Sequence, residues 1–108
     1  MNEYPAKTCV IENLIRHPKL IEAALAGRKT QQRRNGIYAY PNEIFELQGI
    51  SFKITQLIQQ RLGDMTEMDA QAEGYPNLAA YQTMILRMHP NMTWNENDYA
   101  WVHYFMKI

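Results

Sequence analysis

A single cysteine in 108 residues leaves nothing to pair with, so no internal disulfide forms. Cys9 also lacks the paired spacing of a zinc site, which makes the reducing cytoplasm the expected location and a small buried apolar side chain its expected role. His17, His89 and His103 fall in different elements with no i,i+4 pair, so neither a metal site nor a cofactor is expected. The longest apolar run, Ala23-Ala24-Leu25-Ala26, is far short of the ~20 residues that span a bilayer, and no membrane partner is expected. Met1 to Pro5 shows no basic stretch leading into an apolar one, and Arg33-Arg34 does not read as an export signal. There is no Gly-x-Ser-x-Gly elbow and no glycine-rich phosphate loop, so the common hydrolase and nucleotide-binding signatures supply nothing. Net charge is absent too: eleven basic residues balance eleven acidic ones, which removes the usual inference of an electrostatic nucleic-acid binder.

What is present is local asymmetry. Four of the eleven cations lie in Gly27-Arg28-Lys29-Thr30-Gln31-Gln32-Arg33-Arg34, while carboxylates gather at Glu43, Glu46, Asp64, Glu67, Asp69 and Glu73. If the basic stretch is a strand, Thr30, Gln32 and Arg34 share one face and Lys29, Gln31 and Arg33 the other. A basic segment set against an acidic one builds a site rather than an adhesive surface. The length fits a single domain over residues 1–108, burying roughly 60–70% of its unfolded surface.

Taken in order, Cys9-Val10-Ile11 reads as a short strand or a lead-in segment. Pro18 opens a helix with Leu20, Ile21, Ala24 and Leu25 at helical spacing, and Gly27 ends it. Asn35-Gly36 is a turn signal, with strand-forming Ile37, Tyr38 and Tyr40 behind it. Glu43 to Leu47 and Ile50 to Thr55 alternate around Gln48-Gly49 as a β-hairpin, whose second strand extends through Leu57 and Ile58. Thr66-Glu67-Met68-Asp69 has the form of a capping box, Gly74 ends that helix, and Glu73 falls in its last turn, where a carboxylate needs solvent or a cation. Asn77 caps a further helix with Leu78, Tyr81, Ile85 and Met88 on one side, stopped by Pro90; Met84 and Met88 read as core filler. Tyr99 to Met106 is the last strand. Strands and short helices without a βαβ rhythm point to a small α+β domain or a compact barrel carrying helices.

The candidate chemistry is the pair Lys29 and Glu73. A desolvated lysine becomes a base or nucleophile, and a nearby carboxylate can shuttle its proton. Burial lowers the lysine pKa and a close carboxylate raises it, so distance decides between them.

Four motifs in sequence, Gly27-x-Lys29-Thr30-x-x-x-Arg34, Leu62-Gly63-Asp64-Met65-Thr66, Asp69-Ala70-x-x-Glu73-Gly74-Tyr75 and Trp101-Val102-x-x-Phe105, make residues from about 20 to 108 resemble the ASCH-domain family. The resemblance implies a small PUA-like β-barrel with short flanking helices, and a cleft for RNA or nucleotides. Lys29, Arg33 and Arg34 would contact phosphate or a base carbonyl, Thr30 would stand in the same wall, Gln32 would read a base edge, and Glu73 would accept from an exocyclic amine. Tyr75 or Trp94 would offer a stacking face. Four cations on single-stranded phosphates would give a log–log salt slope of roughly −3. One branch of the family consists of amidohydrolases that deacetylate 4-acetylcytidine with a lysine, a threonine and a glutamate; the lysine matches Lys29 and the glutamate Glu73. The threonine position holds Gln32, whose amide supplies no hydroxyl, and Thr30 is the conjectured substitute. A ribonuclease using Lys29 and Arg34, and a protein-interaction module with an unidentified partner, are the other readings the resemblance allows.

Overall fold

The computed structural model describes residues 4–108. Four strands, β1 (Gln31–Arg34), β2 (Ile44–Leu47), β3 (Ile50–Arg61) and β4 (Tyr99–Lys107), form one antiparallel sheet in the order β1-β4-β3-β2. Three helices accompany it, α1 (Pro18–Leu25), α2 (Glu67–Glu73) and α3 (Leu78–Met88). The sheet curls into a half-barrel, with β1 and β2 at its two edges. The α+β class follows as expected from the sequence.

Local chemistry places each element. Pro18 sits at the start of α1, whose cap His17 accepts from the Lys19 amide, and Gly27 takes a φ of 84° beyond its end. Gln48 and Gly49, at φ 51° and 81°, make the tight turn that fixes the β2–β3 register. The capping box of α2 is complete: the Asp69 amide donates to Thr66 Oγ1 and the Thr66 amide to Asp69 Oδ2. Asn77 caps α3 through the Ala80 amide.

β3 carries a bulge. Ile54 pairs with Phe105 and Gln56 with Tyr104, leaving Thr55 as the extra residue. The shift keeps Ile54 and Leu57 on the same face although they are an odd number of positions apart. On that face Ile54 joins Leu14, Ile15, Ala39, Phe45, Phe52 and Phe105 in the larger core, while Met65, Ala70 and Tyr81 form a smaller one around α2 and α3.

Three expectations are corrected. Residues 37–40 are not a strand: Ile37 and Ala39 are buried alternately as a strand would bury them, but their neighbourhood is tied one bond at a time. The Ile37 carbonyl takes the Thr8 amide, the Tyr38 amide goes to His103 Nε2, and the Tyr40 amide to Glu43 Oε2. Met88 is half-exposed rather than core filler, because the last turn of α3 runs past the smaller core. Cys9 is part-exposed and accepts a hydrogen bond from Asn13 Nδ2, so it is not an inert apolar filler. Cys9 to Ile11 forms no strand and leads into a short 3₁₀ turn, Ile11–Asn13.

Candidate functional site

The strand alternation expected for the basic stretch holds, and the two faces of β1 meet different surroundings. Lys29, Gln31 and Arg33 turn toward α2. Lys29 is 1% exposed, and its ammonium donates to the Gln31 carbonyl at 2.6 Å, the Glu73 carbonyl at 2.8 Å and Glu73 Oε1 at 3.4 Å. All three of its hydrogens are therefore committed. Arg33 Nη1 donates to Gln31 Oε1 and to Glu73 Oε2, at 2.8 and 2.9 Å, and Nη2 donates to Gln60 Oε1. Asp69 Oδ2 lies 3.6 Å from Arg33, and Asp69 Oδ1 accepts from Gln31 Nε2. Glu73, at the dipole-disfavoured end of α2, thus finds two cations.

Burial holds the Lys29 ammonium below the ordinary lysine range, and the attraction of Glu73 only partly offsets it. Burial acts against ionised Asp69, but hydrogen bonds from Thr66 and the charge of Arg33 bring its pKa below the usual aspartate value. Lys29 and Glu73 therefore do meet, in a closed pocket rather than an open cleft.

On the other face stand Thr30, Gln32 and Arg34. Thr30 is exposed, and its carbonyl takes the Phe105 amide, which makes Gln32 with His103 and Arg34 with Trp101 the next hydrogen-bonded pairs along β4. Arg34 is part-exposed. Its Nε and Nη2 donate to the Leu14 carbonyl and Nη2 also to that of Asn13, while its guanidinium carbon lies 5.1 Å from the centre of the Tyr38 ring. Nη1 has no protein acceptor among the described residues. Gln32 is 8% exposed; its Nε2 donates to the Arg33 carbonyl at 3.2 Å, and Oε1 is the one buried side-chain polar atom without a partner among the described residues. Reversing the amide would set two oxygens against each other, so the unpaired atom is an acceptor.

His103, opposite Gln32 on this same face, is wholly buried. Its Nε2 accepts from the Tyr38 amide and its Nδ1 lies 3.1 Å from the Gln32 carbonyl, an arrangement that requires the neutral ring with hydrogen on Nδ1. Burial lowers its pKa, the Gln32 carbonyl opposing and Arg34 assisting.

Lys29, Arg33, Gln31 and Glu73 are thus brought together, whereas Thr30, Gln32 and Arg34 are not part of that cluster. Tyr75 and Trp94 are set edge-on to Tyr81 in the smaller core, so neither offers a free ring face beside β1. Trp101 is the aromatic residue that stands beside Arg34, part-exposed and on the same face. Its signal in the sequence was its place in the Trp101-Val102-x-x-Phe105 motif, which reads equally well as a core strand. A hollow of about 280 Å³ near the start of β1 is lined by Ala24, Phe52, Phe105 and Met106 together with Lys29, Thr30 and Lys107. Among the described residues no group of His, Cys, Asp and Glu is arranged to hold a metal, and no helix is long and apolar enough to cross a membrane.

No protein-family model matches the sequence, and no curated protein matches it. Solved structures do. An ASCH domain from Lactobacillus crispatus superposes with a TM-score of 0.64 at 14% identity, covering 82% of this chain and 69% of that one. A protein from Enterococcus faecalis, whose family carries only a domain-of-unknown-function designation, gives 0.59 at 14% identity over 83% and 67%. The chain has the ASCH-domain fold.

Proposed function

We propose that this chain is a binding domain for RNA or a modified nucleoside, receiving its ligand on the Thr30–Gln32–Arg34 face of β1. The observation that carries this reading is the unpaired, buried carbonyl oxygen of Gln32 beside Arg34 and Trp101. A buried acceptor without a donor costs roughly 1–3 kcal/mol, and a ligand N–H relieves that cost. Arg34 Nη1 supplies the complementary donor, and Trp101 a ring on which a base can stack. The ASCH fold is a further support. Lys29, Arg33 and Glu73 then serve this face from behind by fixing β1 against α2, and make no contact with ligand.

Fluorescence titration with cytidine and with a short single-stranded RNA tests the reading. Quenching that disappears in Trp101→Phe and weakens about tenfold or more in Gln32→Leu is expected; binding unchanged by both variants overturns it.

The amidohydrolase reading keeps one specific observation in its favour, the lowered pKa of Lys29 within 3.4 Å of Glu73. Cytidine released from 4-acetylcytidine, and abolished in Lys29→Ala, would establish it. No turnover is expected, because the ammonium is sealed and Gln32 brings no hydroxyl.

A further inference from the structure

We infer that residues 36–40 are a flap latched shut by His103, and that a proton on that one ring releases it; this holds whether or not the face beside it receives a nucleoside. The segment runs alongside the sheet without joining it. Its backbone is tied at three places. The Ile37 carbonyl accepts the Thr8 amide at 2.9 Å, the Tyr38 amide donates to His103 Nε2 at 3.0 Å, and Tyr40 exchanges bonds with Glu43, its amide donating to Oε2 and its carbonyl accepting the Glu43 amide.

The two ring nitrogens of His103 respond differently to a proton. Nδ1–H donates to the Gln32 carbonyl at 3.1 Å whether the ring is neutral or charged. Nε2 is the acceptor for the Tyr38 amide, and a proton there sets two donors 3.0 Å apart. The closed segment and the charged ring therefore exclude each other. Release also withdraws the Tyr38 ring, which lies edge-on to the imidazole at 6.1 Å between centroids and 5.1 Å from the guanidinium carbon of Arg34.

Burial keeps the imidazole neutral; the Gln32 and Trp101 carbonyls oppose that and Arg34 assists. Arg34 on β1 is the charged group that acts on it, Tyr38 faces it from the segment and apolar Leu57 from β3, and no carboxylate acts on it among the described residues. The other ties do not titrate in the same range. Burial raises the Glu43 pKa, but bonds from Lys7 and the Tyr40 amide bring it below its ordinary 4.5, and the Thr8–Ile37 bond takes up no proton. Between those limits the latch alone responds.

Ile37 and Ala39 are buried, so apolar contact still favours closure once the latch is lost, and the acid form opens more often rather than standing open. With the segment open the ring titrates near its ordinary 6.5, and closure lowers that value. The opening equilibrium is thus constant above pH 6.5 and rises by up to about tenfold per pH unit below it.

Amide hydrogen exchange followed by NMR between about pH 7.5 and 5 reads the opening, each rate being divided by its intrinsic value at that pH. Protection of the Tyr38 amide is expected to fall at least about fivefold below pH 6.5, before the ring itself titrates, while Ile54 and Val102 in the sheet keep theirs. The ring nitrogens at pH 7.5 should show the hydrogen on Nδ1. His103→Gln, whose amide oxygen accepts at every pH, should make Tyr38 protection independent of pH. Tyr38 protection that stays constant down to pH 5, or a hydrogen on Nε2 at pH 7.5, overturns the latch. Loss of protection at Ile54 and Val102 in step with Tyr38 overturns it in favour of global acid unfolding. Should His103→Gln not fold, the exchange and ring spectra of the unaltered protein decide alone.

Discussion

On one side of β1 every charge is answered within the protein: Lys29 and Arg33 close on Glu73, and Asp69 completes the circle. On the other side, one residue away along the same strand, Arg34 leaves Nη1 unengaged and Gln32 leaves an oxygen unpaired. Both faces draw on the same eight-residue basic and polar stretch, Gly27 to Arg34, so composition does not distinguish them. What differs is the covering element. α2 brings two carboxylates to the first face, whereas residues 13 and 14 bring the second only backbone carbonyls, which orient a guanidinium without cancelling its charge. The ion cluster on the first face is closed, whereas the second keeps one donor and one acceptor without a protein partner among the described residues.

The largest effect that can break this comparison is Glu73→Ala. It strands two buried cations and should destabilise the fold by about 3–5 kcal/mol in urea denaturation. A loss under about 1 kcal/mol would mean that the pocket is wet and the sealed face is not sealed. Replacing Lys29, Arg33 and Glu73 together by Met, Met and Leu should recover most of that loss, since apolar residues of similar volume substitute well for buried ion clusters. Next comes the contact that holds the segment around Thr8 against Gly36 and Ile37. A Cβ at Gly36 would lie 2.0 Å from Thr8 Oγ1 and 2.8 Å from its Cβ, so Gly36→Ala should cost about 1–3 kcal/mol and speed proteolysis within residues 4–13. Free protein that resists protease as before would show that the segment is not fixed there.

A smaller effect of opposite sign is expected at Gln32. Gln32→Met removes the unpaired oxygen at nearly constant volume and should stabilise the ligand-free protein by up to about 1 kcal/mol while weakening ligand binding. Destabilisation would show that Oε1 has a donor after all. The mildest test is pH. His103 is neutral in the fold and its pKa is lowered from 6.5, so its contribution is fully present above about pH 6.5 and is lost as pH falls below it. Asp69 and Glu43, with lowered carboxylate pKa values, lose theirs only below about pH 4.5. Between those limits the unfolding free energy should decline with falling pH, and His103→Gln should flatten the curve.

Much of the scaffold was legible in the sequence because its signals are local. The Thr66–Asp69 capping box, Asn77, Gly27 and the Gln48-Gly49 turn each act within four residues, and each marks an element boundary in the structure. Residues 37–40 misled because burial alternates there while the backbone partners come from Thr8, His103 and Glu43, none of them adjacent in sequence. The candidate site was half legible. Alternation separates Lys29 and Arg33 from Gln32 and Arg34, but charge alone says nothing about which face a helix will cover. Arg33 reads as a ligand contact from its place in the basic stretch, which says nothing of its burial; in the structure Glu73 and Asp69 make that burial tolerable. Trp101 was passed over because a tryptophan in an apolar strand looks like packing until its neighbour is seen to be Arg34.

The extra residue in β3 acts as a change of reading frame. Upstream of Thr55 the even-numbered positions Phe52 and Ile54 are buried; downstream the odd-numbered Leu57 is, on the same face. Deleting Thr55 would not shorten a loop. It would invert the pleat of everything from Gln56 to Arg61, carrying Gln60 away from Arg33 and turning Leu57 outward from the core. The strand thus carries two phases of one alternating pattern, and the splice between them keeps the hairpin and the candidate site in the same sheet.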